Sequence, residues 1–176
     1  MQLVDGGYLK PSSVLDIGCG TGTSVVYLAS KGFDAYGLDI SKVAIRKAVA
    51  KARDLGVKCD FRVMNFLDTE MVSKASITCD IVMDIGCFHS LSARDRLRYK
   101  ESLNLVSRPG SAYLLWCFLR GRSWTYGPPG VDQDEVERTL FKWFRVIEKR
   151  RVSTSFRETL FYVMRRVADA SETREK

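Results

Sequence analysis

A glycine-rich turn near the N-terminus constrains the fold of this chain more than any other feature. The turn follows an apolar run, Ser13–Ile17, and precedes an amphipathic stretch, Thr23–Lys31. From Asp16 to Gly22 it reads DIGCGTG, with glycine at alternate positions. Glycine lets the backbone turn sharply and approach a ligand without a Cβ in the way. A strand that enters a helix through such a turn predicts the first unit of a ligand-binding α/β sheet.

Apolar runs alternate with amphipathic stretches along most of the remaining sequence. The apolar runs predict further strands at 35–39, 57–64, 79–85 and 111–119. The amphipathic stretches predict helices at 23–31, 42–55, 93–106 and 132–142, and a short helix that ends near Ala75. Two final strands, Phe144–Val152 and Thr159–Val167, have no helix between them and predict an antiparallel hairpin. The fold class is therefore α/β, a three-layer sandwich whose mostly parallel sheet has about seven strands and ends in a C-terminal antiparallel hairpin.

Length and composition predict one globular domain that spans residues 1–176, with a polar, frayed tail at 169–176. Hydrophobic residues make up 45% of the chain and charged residues 28%, which is typical of globular proteins. No apolar run approaches the roughly 18–20 residues that a membrane span needs. The first residues also lack the pattern of a signal peptide. We therefore expect a cytoplasmic protein without a membrane partner.

Composition also argues against several kinds of site. The five cysteines are odd in number and show no C-x-x-C spacing, which disfavours a disulfide framework and a cysteine zinc site. A single histidine and the lack of clustered carboxylates indicate that no metal is bound. The net charge of +7 would suit a nucleic acid. Much of it is scattered or lies at 149–151 and 165–166, beside or within the final strands, and this placement favours a solvated rim.

Ligands of an open α/β sheet bind beyond the carboxyl ends of its strands, where the strand order reverses. The predicted loops at that edge are Gly18–Gly22, Asp39–Ser41, Asn65–Asp68, Asp84–Ser90 and Leu119–Gly130. The G-x-G-x-G spacing differs from the G-x-G-x-x-G of nicotinamide enzymes, because Thr23 stands where their third glycine falls. Asp16 suits a ligand that has an ammonium group and no pyrophosphate. Asp39 ends the second strand, where a carboxylate can accept hydrogen bonds from both ribose hydroxyls.

These segments resemble the motifs of class I S-adenosylmethionine-dependent methyltransferases. Val14–Gly22 resembles their first motif and Gly37–Ser41 their second. Asp80–Leu91 resembles the fourth motif of the small-molecule members related to thiopurine and tellurite-resistance methyltransferases, and Gly127–Gly130, which leads into an acidic helix, fits the same group. The resemblance covers about residues 10–167. It implies a Rossmann-like sheet, S-adenosylmethionine as cofactor, and methyl transfer to a small-molecule thiol, hydroxyl or amine.

The resemblance also implies which residues bind the cofactor. They are Asp16, Gly18, Cys19, Gly20, Thr21, Gly22, Asp39, Ile40, Asn65, Phe66, Asp84, Ile85 and Phe88. The glycines would wrap the methionine part, with Asp16 contributing to that end of the site. Asp39 would bind the ribose and Ile40 would pack on the adenine.

Three segments further along the chain complete the expected binding site. Asn65 stands where the family usually has an acid, and it would face the adenine amino group through its side-chain oxygen. Phe66 would flank the adenine ring. Asp84, Ile85 and Phe88 would line the side near the methyl group. The first strand begins at Ser13, whereas family members normally carry one or more helices before it, so the N-terminal cover is expected to be short or missing.

Two residues after the fourth strand are candidate general bases for a hydroxyl or amine acceptor. His89 is the only histidine and would titrate near physiological pH, but it could also pack in the loop and hydrogen-bond the backbone. Asp84 could be catalytic or could cap the same loop. A basic and aromatic cluster in the loop after the fifth strand is predicted to line the substrate pocket, with a surface loop ranked second and nucleic-acid stacking third. The cluster consists of Arg120, Arg122, Trp124 and Tyr126.

Other functions remain as alternatives at this point. The charge mildly favours an RNA methyltransferase, and the short N-terminus would suit a non-catalytic module that binds S-adenosylmethionine. A nicotinamide enzyme is disfavoured by the glycine spacing. Methylation of DNA bases is disfavoured because neither Asp-Pro-Pro-Tyr nor Asn-Pro-Pro-Tyr follows the fourth strand and no Pro-Cys pair occurs. A small-molecule acceptor is therefore the expected partner, ahead of a nucleic acid.

Overall fold

The computed structural model describes residues 5–121, 127–153 and 157–168. The strands of this part are β1 (Ser13–Ile17), β2 (Asp34–Asp39), β3 (Asp60–Val63), β4 (Cys79–Ile85), β5 (Ser107–Phe118), β6 (Phe144–Ser153) and β7 (Glu158–Arg166). The helices are α1 (Thr23–Ser30), α2 (Lys42–Asp54), α3 (Thr69–Ala75), α4 (Ala93–Val106) and α5 (Gln133–Leu140), and Phe88–Ser90 forms one 3-10 turn. No helix among these residues is long and apolar enough to cross a membrane.

The described strands form one seven-stranded sheet in the order β3-β2-β1-β4-β5-β7-β6. Neighbours from β3 to β5 are parallel, and β7 is antiparallel to both β5 and β6. The predicted mixed sheet and its C-terminal hairpin are therefore confirmed. The order reverses at β1, where Ile17 pairs with Leu38 on one side and with Asp84 on the other. This register brings the loops after β1, β2 and β4 to one place on the sheet edge.

Apolar side chains fill both faces of the sheet, as the three-layer prediction requires. Successive residues of a strand point to opposite faces, and the buried residues of β1 follow this rule. Leu15 and Ile17 belong to a large cluster with residues of α4 and α5, whereas Val14 belongs to a smaller cluster with residues of α1. Helices on both faces leave the carboxyl edge of the sheet free to form a site.

Two strand boundaries differ from the sequence prediction by more than one residue. The predicted strand at 57–64 begins only at Asp60, because the Val57 amide donates to the Ala52 carbonyl oxygen and completes the end of α2. β5 begins at Ser107 instead of Ser111. The Ser111 hydroxyl accepts the Arg108 amide at 3.0 Å and donates to the Cys79 carbonyl oxygen at 2.8 Å. These bonds keep the irregular segment at 108–110 in the sheet.

Candidate functional site

A cavity of about 370 Å³ opens at the carboxyl ends of β1, β2 and β4. Six of the predicted cofactor-binding residues line it: Gly18, Asp39, Ile40, Asn65, Phe66 and Ile85. Seven lining residues were not predicted: Ile17, Leu38, Met64, Leu67, Gly86, Cys87 and Leu91. Most of these follow or end a strand, and this position in the sequence is the signal that could have identified them. The volume and the apolar wall are typical of sites for small organic molecules.

The glycines of the turn after β1 have different structural roles. At Gly22 the backbone has φ 73°, and an added Cβ would lie 2.6 Å from the Phe61 ring and 2.8 Å from the Ala48 Cβ. Gly22 is therefore needed for the close approach of α1 to its neighbours. At Gly20 the backbone has φ 54°, and an added Cβ would meet no atom within 4 Å. The backbone at Gly20 thus faces open space.

The Asp39 carboxylate joins the turn after β1 to the end of β2. Its Oδ2 accepts the Gly20 amide at 2.8 Å, and its Oδ1 accepts the Ser41 amide at 2.8 Å. Each carboxylate oxygen has a second lone pair that can accept another hydrogen bond. Since Asp39 also lines the cavity, the carboxylate can accept two ribose hydroxyls there.

Asp16 lies at the base of the site and is 4% exposed. Burial, followed by the negative charges of Asp84 and Asp39, raises the pKa of Asp16 to about 8. Among the described residues no hydrogen-bond donor reaches its carboxylate, and Asp16 does not line the cavity. A cation placed near these carboxylates would favour the ionised form of Asp16. A role of Asp16 in binding the methionine end of S-adenosylmethionine therefore remains a prediction.

The loop after β3 places a polar and an aromatic residue on the cavity wall. Asn65 is exposed, and its Oδ1 already accepts the Leu67 amide at 3.0 Å. One lone pair of that oxygen is left for a ligand. Phe66 is largely buried, and its ring packs edge-on against Tyr99 with 5.0 Å between ring centroids. Asn65 thus combines a turn-forming role with its predicted role as an acceptor.

The loop after β4 folds over the Asp84 carboxylate, which is fully buried. Its Oδ1 accepts the amides of Gly86 at 3.1 Å and Cys87 at 2.8 Å. Its Oδ2 accepts the Phe88 amide at 2.9 Å and the Tyr99 hydroxyl at 2.7 Å. Burial raises the pKa of Asp84 to about 6, while these hydrogen bonds oppose the shift. This geometry matches the alternative in which Asp84 caps the loop after β4.

This arrangement corrects the expectation that Asp84 and Phe88 line the cavity. Both are fully buried behind the loop, because the chain turns back after Ile85 to donate its amides to Asp84. Gly86, Cys87 and Leu91 lie on the wall in their place. Cys19, Gly20, Thr21 and Gly22, although part of the turn after β1, also do not line the cavity.

His89 is held in a neutral state by its surroundings. It is 3% exposed, and its Nδ1 accepts the Phe118 amide at 3.2 Å. Burial, with the positive charges of Arg157 and Arg96, lowers the pKa of His89 to about 4. A neutral imidazole that accepts at Nδ1 carries its proton on Nε2. The geometry matches the alternative in which His89 packs in the loop and hydrogen-bonds the backbone.

The predicted substrate cluster is described only at Arg120. Its guanidinium pairs with Asp132 at 3.2 Å and with Glu135 at 3.7 Å, and it does not line the cavity. Arg122, Trp124 and Tyr126 lie outside the described residues. Within the described ranges no group of three or more potential metal ligands occurs.

Comparison with known proteins identifies the family. A family model described as a methyltransferase domain matches residues 14–110, which is more than half of the chain. The chain belongs to the methyltransferase domain family. An uncharacterized methyltransferase of Schizosaccharomyces pombe is 36% identical over 118 residues, which are 67% of this chain and 79% of that protein. The 2-heptyl-1-hydroxyquinolin-4(1H)-one methyltransferase of Mycobacteroides abscessus is 28% identical over 149 residues, which are 83% of this methyltransferase and 64% of that protein.

Solved structures share this fold. TehB from Haemophilus influenzae has a TM-score of 0.77 and 15% sequence identity, over 94% of this methyltransferase and 61% of that chain. Structures with the same fold include methyltransferases with S-adenosylmethionine or S-adenosylhomocysteine bound. The predicted Rossmann-like fold and the methyltransferase class are confirmed.

The residues of the cavity fit S-adenosylmethionine. The two oxygens of Asp39 retain acceptor capacity for ribose hydroxyls. Ile40 and Ile85 are 70% and 54% exposed although both are apolar and line the cavity. A bound adenosyl group would remove this apolar surface from water, which is favourable.

Proposed function

We propose that this methyltransferase binds S-adenosylmethionine in the cavity and methylates a small-molecule nucleophile, with a thiol or an acidic hydroxyl as the acceptor group that suits the site best. One observation carries the proposal. The two predicted bases, His89 and Asp84, use their acceptor atoms to hold the loop after β4. An acceptor that ionises by itself near neutral pH needs little help from a protein base.

The cofactor would be held by groups from three loops. When bound, it supplies a methyl group that is activated by attachment to a sulfonium. Asp39 would accept the ribose hydroxyls, and Asn65 and Phe66 would lie beside the adenine. The buried carboxylate of Asp16 would add negative potential at the end where the cofactor carries its positive charges.

The remaining residues would shape the site rather than exchange protons. The Asp84 carboxylate fixes the amides of the loop and thereby places Gly86 and Cys87 on the cavity wall. Ile85 and Leu91 make this wall apolar. An apolar wall excludes water and holds an apolar acceptor in a fixed orientation, which lowers the barrier to an in-line transfer.

Two further observations support a small molecule over RNA. The relative from Mycobacteroides abscessus is named for a small aromatic substrate with an N-hydroxyl group. The basic cluster of β6 is paired with carboxylates: Lys149 with Glu137, Arg150 with Glu148, and Arg151 with Glu158. Pairing reduces the positive potential that this cluster could offer to phosphates.

The proposal can be examined with a defined panel of acceptors. The purified chain is incubated with S-adenosylmethionine and with thiophenol, 1-hydroxyquinolin-4-one, aniline or a structured RNA, and methylated products are measured by mass spectrometry. We expect methylation of thiophenol and 1-hydroxyquinolin-4-one, and much slower methylation of aniline. Methylation of RNA alone, with binding that weakens steeply as salt rises, would replace the proposal by the RNA alternative.

A pair of variants on one strand serves as the control. Asp39→Ala removes the carboxylate at the cavity and should weaken binding of S-adenosylhomocysteine by about 10–100-fold, as expected for lost hydrogen bonds to a charged group. Asp34→Ala removes an exposed carboxylate at the opposite end of β2 and should leave binding unchanged. Equal effects of the two substitutions would contradict the proposed cofactor site.

A further inference from the structure

Arg96 of α4 is buried between the loops that follow β4 and β5, and it is 2% exposed. Its Nε donates to the Phe88 carbonyl oxygen at 3.1 Å, and the guanidinium lies 5.4 Å from the centroid of the Phe88 ring. Its Nη2 donates to the Gly130 carbonyl oxygen at 3.1 Å. Its Nη1 forms an ion pair with Glu135 in the first turn of α5. One side chain therefore holds two loops and a helix.

The two loops contribute differently to the site. The loop after β4 forms part of the cavity wall through Gly86, Cys87 and Leu91. The loop after β5 is the segment predicted to line the substrate pocket, and its described end is fixed at Gly130. The Gly130 amide donates to the His89 carbonyl oxygen at 3.1 Å, so the loops also meet directly.

We propose that Arg96 is a positioning residue that couples cofactor binding on the loop after β4 to the placement of residues 127–131, the described end of the loop after β5. A ligand in the cavity restrains the loop after β4. Arg96 transmits this restraint because the same rigid guanidinium holds the carbonyl oxygens of Phe88 and Gly130. The inference rests on the proposed placement of the cofactor and is independent of the acceptor class.

The shape of the guanidinium is essential to this role. Its planar group presents donors in several fixed directions, whereas a lysine has a single nitrogen on a flexible chain. The Arg96 partners lie on three separate segments, so one ammonium group could not hold them all in place. Glu135 extends the connection, because its other carboxylate oxygen lies 3.7 Å from Arg120 at the start of the loop after β5.

Hydrogen exchange measures this coupling without a methyl acceptor. The full chain is labelled in D₂O with and without S-adenosylhomocysteine at about 100 times its Kd, a concentration that can suppress ligand-releasing openings about 100-fold. Exchange is compared in two segments, 86–91 and 127–131. In the second segment the amides of Gly130 and Val131 are informative because both are hydrogen-bonded. In the unmodified chain we expect the ligand to slow exchange in both segments. In Arg96→Met we expect full slowing at 86–91 and much weaker slowing at 127–131, where only the bond from the Gly130 amide to the His89 carbonyl oxygen still joins the loops.

Three further variants separate coupling from general destabilisation. Arg98→Met changes an exposed residue of the same helix and should behave as the unmodified chain. Arg96→Lys should retain part of the ligand effect at 127–131. Glu135→Gln leaves Arg96 its two carbonyl bonds and should therefore retain the effect. Arg96→Lys decides the question if Arg96→Met does not fold.

The outcomes separate the inference from the proposed function. Equal slowing at 127–131 in Arg96→Met and Arg98→Met, or no weakening in Arg96→Lys when Arg96→Met does not fold, would overturn the coupling. Slowing at 86–91 but not at 127–131 in the unmodified chain would overturn the coupling and leave the cofactor site intact. No slowing in either segment of the unmodified chain would overturn the placement of the cofactor, and the coupling with it.

Discussion

The two sides of the cavity obtain their shape in different ways. On the side of β1 and β2, backbone groups dominate: the amides of Gly20 and Ser41 hold Asp39, and the glycine turn adopts positive φ angles. On the side of β4 and β5, buried side chains dominate. The hydroxyl of Tyr99 and the guanidinium of Arg96, both from α4, hold the loop after β4.

This difference determines how each side should respond to substitution. The turn after β1 has no room for added atoms at Gly22, so the β1 side should be sensitive to a new Cβ at that position. A loop held by side chains should be sensitive to the loss of a hydroxyl or a guanidinium. The four predictions below use this contrast, beginning with the largest expected effect.

The largest effect is expected from adding a methyl group at Gly22. Gly22→Ala places a Cβ 2.6 Å from the Phe61 ring at φ 73°. We expect the free energy of unfolding to fall by about 3 kcal/mol, because overpacking costs about 1–3 kcal/mol and the left-handed conformation about 1–2 kcal/mol. Urea denaturation measures this loss.

The matched variant is Gly20→Ala, where the added Cβ meets no atom within 4 Å. This variant should lose only about 1 kcal/mol of stability, from the backbone conformation alone. Because the Gly20 amide donates to the Asp39 carboxylate, calorimetric titration should instead show weaker binding of S-adenosylhomocysteine. Similar stability losses in the two variants would contradict the different roles assigned to these glycines.

The next effect is a pH dependence from Asp16. The pKa of Asp16 is raised from 3.8 to about 8 in the folded chain, so the folded state favours the protonated carboxyl. Its stabilising contribution is complete below pH 3.8 and is lost as the pH rises towards about 8. The ligand-free chain should therefore become more stable as the pH is lowered from about 8 to about 5.

Asp16→Asn should remove most of this slope, because the amide does not titrate. Urea midpoints across the same pH range measure the change. Asp84, with a pKa of about 6, should leave a smaller slope of the same sign in the variant. An unchanged slope in Asp16→Asn would show that another group is responsible.

A moderate effect is expected from Tyr99→Phe on the side of β4. The substitution removes the hydroxyl that donates to Asp84 at 2.7 Å inside the protein. We expect a loss of about 2 kcal/mol in unfolding free energy, typical of a hydrogen bond to a charged group. Binding of S-adenosylhomocysteine should weaken as well, because the Asp84 carboxylate that holds the amides of the loop loses one of its own hydrogen bonds.

Tyr36→Phe provides the control, since it removes a hydroxyl bonded to Asp34 on the exposed surface at 2.8 Å. Its effect on stability should stay within about 0.5 kcal/mol. If Tyr99→Phe were equally mild, the shape of the loop after β4 would not depend on the buried side chains of α4.

The smallest effect is expected from His89→Asn. The asparagine oxygen can accept the Phe118 amide in place of Nδ1. With thiophenol as acceptor, kcat should stay within about threefold, whereas loss of a true general base would lower it about 100–10,000-fold. The pH profile of the rate from about pH 5 to pH 8 should be the same in His89→Asn and in the unmodified chain, because any titration near pH 6.5, the usual pKa of histidine, would then come from the thiol. A loss of the larger size would establish His89 as the base.

The contrast between the two sides also explains which site residues the sequence could predict. Gly18, Asp39 and Ile40 follow strands within short motifs, and they line the cavity as expected. Asp84 and Phe88 belong to a motif of the same kind, yet they are buried. The direction of the loop after β4 depends on Tyr99 and Arg96 of α4, and no local pattern reports these contacts.

Alternating apolar and amphipathic stretches determined the order of strands and helices, because the apolar residues of each segment recur with the period of a strand or of a helix. The glycine turn and Asp39 at the end of β2 predicted the edge of the sheet at which the cavity lies, since these groups act through the backbone beside them. Only the tertiary structure decided which side of the loop after β4 faces the cavity. The hydrogen bonds of Asp84, Tyr99 and Arg96 join residues from different elements. Buried polar groups are stable only when they are hydrogen-bonded, so these partners fix the direction of the loop.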